Sequence, residues 1–265
     1  MSLDPTTIIS SLIGSLIAVV GSIVVATIYI SNNKNLEKKR MLNEQIQKTY
    51  IDKGIFSMQV GLSQYGTNTI FGFNDLIVSA VRINKLGEKS NLKQKIDEIK
   101  QRPTIDDLLQ RKFSYTMDSF SYIRSFGIKI YGPMIRTIQC YSDLLSDFTN
   151  IDVLNRQISS AGIDEFERSG KAVMQILQST QLYLQTRLDN LKDYILQKDF
   201  DSYTDFLNIL KEEKYARYMA DFEQYSTLLT NWMDSLRSQN SESRKSTSIA
   251  LSKWLTENSE KNPLE

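Results

Sequence analysis

Residues 8–30, IISSLIGSLIAVVGSIVVATIYI, hold no charged residue and no proline across 23 positions. Wound as a helix at about 1.5 Å per residue, such a run reaches roughly 35 Å, against about 30 Å for a bilayer's hydrocarbon core. In lipid the backbone must satisfy its own hydrogen bonds, which leaves a single crossing segment only the α-helix. The expectation is a single N-terminal transmembrane helix over 8–30, with a short extracytoplasmic tail over 1–7.

A cleaved signal peptide fits poorly. It would begin with a basic segment and end in a small-x-small site. The residues before the run are MSLDPTT, with one acid and no Lys or Arg, and the run ends Thr27-Ile28-Tyr29-Ile30. Retention as a signal anchor is the expectation. On the far side Lys34, Lys38, Lys39 and Arg40 crowd the boundary, offset only by Glu37. The positive-inside bias therefore predicts an outside N-terminus and a cytoplasmic main domain. These four basic residues are also the candidates for contact with an anionic lipid surface. Cys140 is the only cysteine, so no intrachain disulfide can form, which suits a reducing compartment.

Within the run, Ser10, Gly14, Ala18, Ser22 and Ala26 recur every four residues. Small residues at this spacing let two membrane helices approach closely, which makes the ridge a candidate for self-association into a homo-oligomer. The plainer alternative is the ordinary composition of membrane helices, and the sequence leaves both open.

The remainder is polar and helical in pattern. Every basic residue and all acidic residues except Asp4 lie at or beyond Lys34, and the net charge of the whole chain is +1. So balanced a surface argues against a dedicated nucleic-acid binder. With 11 Gly and 4 Pro in 265 residues, long helices are expected.

A charged juxtamembrane helix is predicted over 31–53, with Leu42, Ile46 and Tyr50 on one face. A helical bundle follows over 54–237, then a polar linker, short helix and free tail over 238–265. Gly54, Gly61, Gly66 and Gly72 interleave with Phe56, Met58, Tyr65, Phe71 and Phe73. The preferred reading is a loop at Gly66-Thr67-Asn68 joining two buried helices; the sharper one is close helix packing or a flexible joint.

Between Arg82 and Arg102 lies the most basic window. It lacks interleaved aromatics, so a solvated helix capped by Ser90 and ended by Pro103 is expected in place of a single-strand nucleic-acid site. Thr104 should cap a helix running to Gly127, its face Ile105, Leu109, Phe113, Met117 and Phe120. Pro133 suits the first turn of the next, with Ile138, Tyr141, Leu145 and Phe148 inward. A short helix over 151–159 ends at Gly162.

Leu177, Leu184, Leu188, Leu191 and Ile195, and then Phe222, Tyr225, Leu229, Trp232 and Leu236, keep the three/four spacing of helical seams. The join at Lys198-Asp199 lacks both Gly and Pro. Residues 238–245 read as linker, 248–258 as a last helix with Leu251 and Trp254, and NPLE as a free end. No strand pattern is found. The expected fold is all-α, an elongated multi-helix bundle with coiled-coil character behind one membrane anchor.

Chemistry is conspicuous by its absence from the sequence. With no histidine, Ser-His triads, Cys-His dyads and HExxH zinc sites are excluded. Ser169-Gly170-Lys171 superficially matches the end of a phosphate loop, but Glu165 stands where a glycine is required and no strand precedes it. Asp106/Asp107 and Glu212/Glu213 are adjacent, hence splayed on a helix, and read as surface.

No catalytic residue, metal site or cofactor is assigned. The expected function is a membrane-anchored scaffold, adaptor or signal-transmitting module for protein partners. The alternatives are a membrane-associated enzyme confined to Asp, Glu, Lys, Tyr and Ser chemistry, or a peripheral organiser of anionic lipid.

Overall fold

The computed structural model describes residues 5–87, 91–112, 114–125, 129–238 and 240–265, the side chains of 5–19, 114–117 and 125 excepted. Among the described residues the chain is all-α, without strands. The order is α1 (Pro5–Ile46), a π-helical segment (Gln47–Phe56), α2 (Ser57–Leu86), α3 (Leu92–Lys100), α4 (Pro103–Leu109), α5 (Ser114–Ser125), α6 (Tyr131–Phe148), α7 (Ile151–Ala161), α8 (Ile163–Leu196), α9 (Tyr203–Asn208), a 3₁₀ turn (Ile209–Lys211), α10 (Glu213–Arg237) and α11 (Ser241–Asn258).

The backbone stays helical from Pro5 to Leu86, where Gly87 closes α2 in the left-handed conformation at φ 63°. The π segment has a reason in the sequence. Ile46, Tyr50, Gly54 and Met58 are all buried and lie at steps of four. Each such step drifts about 40° around an α-helix, so Ile46 and Met58 would end about 120° apart. A wider turn takes that drift back and keeps the four on one face. Ser57 Oγ donates to the Asp52 carbonyl, five residues back, at 3.1 Å.

Against this spine α8 runs antiparallel, in the most extensive helix pair of the molecule. Its fit is made by glycines. A Cβ on Gly66 would stand 2.9 Å from Gln181 Oε1, and one on Gly170 would reach within 3.0 Å of Ile77 Cγ1. Gly54 meets Ile123 of α5 in the same manner, at 3.1 Å. The loop expected at Gly66-Thr67-Asn68 does not exist: Gly61, Gly66 and Gly72 are buried inside α2. The glycines mark close approach, and the boundary expected between 53 and 54 is crossed by unbroken helix.

Helices α6, α10 and α11 complete the core around Tyr141, Tyr183, Tyr218, Phe222, Tyr225 and Trp232. The inward faces predicted for α6, α8 and α10 are buried, with Phe148 and Leu236 half-buried at the ends.

Other expectations are corrected. The cap of α3 is Asn91, whose side chain accepts from the Lys93 amide. Ser90 lies outside the described residues. Pro103 opens α4 at its first turn. The helix expected from Thr104 to Gly127 is two, because Arg111 adopts φ 54°. There the Lys112 amide donates to Asp107 O and the Arg111 amide to Leu108 O, the pairing of a Schellman end with arginine in the glycine position. Phe113 and the side chain of Met117 lie outside the described residues.

Asp107 is not surface: it is buried and accepts from Tyr65 OH at 2.5 Å. The linker expected over 238–245 gives way at Ser241 to α11, capped by Asn240. The NPLE tail is docked, with Leu264 buried and Lys214 Nζ donating to the Glu265 carbonyl. Arg187, itself buried, donates to the carbonyls of Asn258 and Lys261 and to Asp221.

Candidate functional site

Two features of α1 converge where it leaves the bundle. Over residues 20–30 the helix has no cover: Val20, Ile23, Val24, Val25, Ile28, Tyr29 and Ile30 are each at least half exposed. A Cβ on Gly21 would meet nothing within 4 Å. Among the described residues no helix is long and apolar enough to cross a membrane. The run 8–30 lies only partly within them, since the side chains of 8–19 are outside. Of the small-residue ridge, Ser10, Gly14 and Ala18 are therefore outside the described side chains, and Ser22 and Ala26 are exposed.

Below residue 31 the helix meets the turn between α8 and α9. Asn43 makes the link. Its Nδ2 donates to Asp199 Oδ1 and the Phe200 carbonyl, both at 3.0 Å, while its Oδ1 accepts the Phe200 amide at 3.1 Å. One side-chain amide thus satisfies both backbone groups of a residue in a turn that has neither Gly nor Pro. Phe200 is buried edge-on against Phe206, whose ring lies 4.3 Å from that of Tyr50 in the π segment. The Tyr50 and Tyr203 hydroxyls are 3.0 Å apart. Ser202 then caps α9.

The four basic candidates separate into two kinds. Lys39 Nζ bridges Asp199 Oδ2 at 2.8 Å and Asp201 Oδ1 at 2.7 Å, and hydrogen bonds to those carboxylates raise its pKa above the usual lysine value. Arg40 pairs with Glu44 on its own helix. Lys34 and Lys38 are exposed, and among the described residues neither makes an ion pair.

Two open clefts flank this junction. One of about 410 Å³ is lined by Leu36, Lys39, Asn43, Ile51, Leu196 and Phe200, among others. The second, about 770 Å³, lies nearer the apolar run, between Asn32, Asn35, Leu36, Lys38, Lys39, Leu42 and Asp201.

A neighbouring cluster of ionisable groups joins α8 to α10. Tyr194 OH donates to Glu212 Oε2, and Lys198 Nζ donates to Glu212 Oε1 at 2.5 Å and to Tyr194 OH at 2.9 Å. Partial burial works against both charges. The hydrogen bonds outweigh it, lowering the Glu212 pKa and raising that of Lys198. Both shifts hold the ionic forms at neutral pH, so the cluster acts as a joint without a group poised to exchange protons. Glu212 was expected on the surface. Its engagement leaves no trace in sequence because Lys198 lies across a turn.

Ser169-Gly170-Lys171 lies within α8, and Gly170 packs on Ile77. Among the described residues no three Cys, Asp or Glu side chains stand together to hold a metal ion. Cys140 is buried, which pushes its thiol pKa far up. Compared with protein-family models, with curated proteins and with solved structures, the chain finds no match.

Proposed function

We propose that this chain is a single-pass membrane protein whose residues 8–30 form the anchor. Its N-terminus lies outside, and its cytoplasmic helical bundle serves as a scaffold, adaptor or signal-transmitting module for protein partners. The observation that carries the reading is the helix that is apolar and uncovered at 20–30, basic from Lys34, and then continuous with the core of the bundle. Apolar side chains in a row without protein cover are costly in water and at home in lipid. The absence of any joint between anchor and core favours transmission over mere tethering. The three/four seams of α8 and α10 give the bundle its coiled-coil character and a rigid body to transmit through.

The resolved titration shifts of lysines and carboxylates are those of ion pairs. Among the described residues, Lys39, Lys85 and Lys198 shift up, and Glu98, Glu167, Asp189 and Glu212 shift down. All favour the charged forms, as ion pairing does.

Topology tests the proposal. In a Cys140→Ala background, single cysteines are introduced by Ser2→Cys and Ser246→Cys; position 246 is exposed on α11. An impermeant thiol reagent is expected to label the first in intact cells and the second only after permeabilisation. The reverse pattern overturns the orientation. Recovery of the chain in the soluble fraction overturns the anchor.

A further inference from the structure

We propose that the cleft between α1 and the α8–α9 turn seats the headgroup of an anionic phospholipid, with Lys34 and Lys38 as the groups that recognise its charge. This rests on the anchor reading and adds to it a lipid class and a site.

Position comes first. From Ile30, the end of the apolar run, Asn32 is about 3 Å along the helix, Lys34 about 6 Å, Asn35 about 8 Å and Lys38 about 12 Å. Each polar headgroup layer is roughly 5–8 Å deep. Asn32, Lys34 and Asn35 would therefore lie at headgroup depth. The Cα–Cβ bonds of a helix tilt toward its N-terminus, and a lysine stem extends its ammonium further. Lys38 would thus lean up into the same layer.

Charge selects the occupant. Of the four basic residues at this boundary, Lys39 is committed to Asp199 and Asp201, and Arg40 to Glu44. Lys34 and Lys38, one turn apart on one face, keep their charge for a partner that the described residues do not supply. Asn32 and Asn35 add neutral amide donors to the cleft wall, and Leu36 and Leu42 add apolar surface for the glycerol and upper acyl chain. Asp201 also lines the cleft, but its carboxylate is held by Lys39 at 2.7 Å. Glu37 flanks Lys34 at i+3, on the side of the helix turned away from Lys38 and the cleft. The α1 wall of the cleft presents the Lys38 ammonium and the amides of Asn32 and Asn35, with Lys34 at the rim one turn above Lys38, which suits a phosphodiester with a further negative charge.

The test uses the full chain. Alkaline carbonate extraction of its native membranes is done first: release into the supernatant overturns the anchor reading and this site with it. Retained protein is then reconstituted in equimolar phosphatidylserine and phosphatidylcholine and recovered in mild detergent, and the co-purifying lipid is identified by mass spectrometry. Phosphatidylserine is expected to be enriched about 25-fold, the product of roughly fivefold for each of the two lysines near a charged surface. Lys34→Gln with Lys38→Gln should bring the ratio to parity, while Arg40→Gln should leave it unchanged. Equal retention by the parent, or enrichment that survives the double substitution, overturns the lipid site and leaves the anchor standing. Displacement of the lipid by inorganic phosphate alone would assign the cleft to a soluble anion and overturn the proposal equally.

Discussion

Buried tyrosines divide sharply by what their hydroxyls meet. Tyr65 donates to the buried carboxylate of Asp107, tying α2 to α4. The hydroxyl of Tyr141 is buried with no hydrogen-bond partner among the described residues. Hydrogen bonds to charged groups contribute about 1.5–3 kcal/mol, whereas an unpaired hydroxyl adds only its desolvation cost. Tyr65→Phe is therefore expected to destabilise the fold by about 2 kcal/mol. Tyr141→Phe should be neutral or stabilising by up to about 1 kcal/mol. Urea unfolding of both variants decides the matter, and equal losses would refute the distinction. Sequence alone cannot draw it. Both tyrosines sit on apolar helical faces, and Asp107 looks like the acidic first turn of a surface helix.

At the scale of elements the α2–α8 pair sets the geometry of everything else, and glycine sets the pair. Gly170→Leu places a branched chain where even a Cβ collides with Ile77. Overpacking of this kind costs about 1–3 kcal/mol. A loss of about 3 kcal/mol by denaturant titration is expected, against less than about 0.5 kcal/mol for Lys171→Leu, whose side chain points to solvent. A near-neutral Gly170→Leu would mean that the helices separate readily. The seams of α6, α8 and α10 were legible because their three/four spacing reports burial directly. The glycines of α2 were misread because one residue type serves both as helix breaker and as packing surface, and only the partner helix tells which. The steps of four through Ile46, Tyr50, Gly54 and Met58 did carry a signal for the widened turn. The end of α4 at Arg111 had none, since its stabilising partner is Asp107 O, and the α8–α9 turn showed only as a lapse of the spacing at Lys198-Asp199, its partner Asn43 being remote in sequence.

Over the whole molecule, the C-terminal residues close the bundle. The buried guanidinium of Arg187 gathers the end of α11, the tail carbonyl of Lys261 and the half-exposed Asp221. Removing one partner from a buried ionic network costs about 3 kcal/mol at the lower end of such cases. Arg187→Met is expected to destabilise by about that amount and to speed amide exchange across 258–265. Unchanged protection there would show the tail to be held by Leu264 alone. The opposite end of the molecule has a mechanical consequence. The helix runs unbroken through the π segment from Ile30 to Leu86, roughly 80 Å along its path. With residues 8–30 embedded in a bilayer, as proposed, that span is a lever whose fulcrum lies at the membrane surface. Anchors commonly tilt by tens of degrees to match bilayer thickness. A change of about 10° would swing the distal end at Leu86 through roughly 14 Å, converting a thickness change into a displacement that a cytoplasmic partner could register.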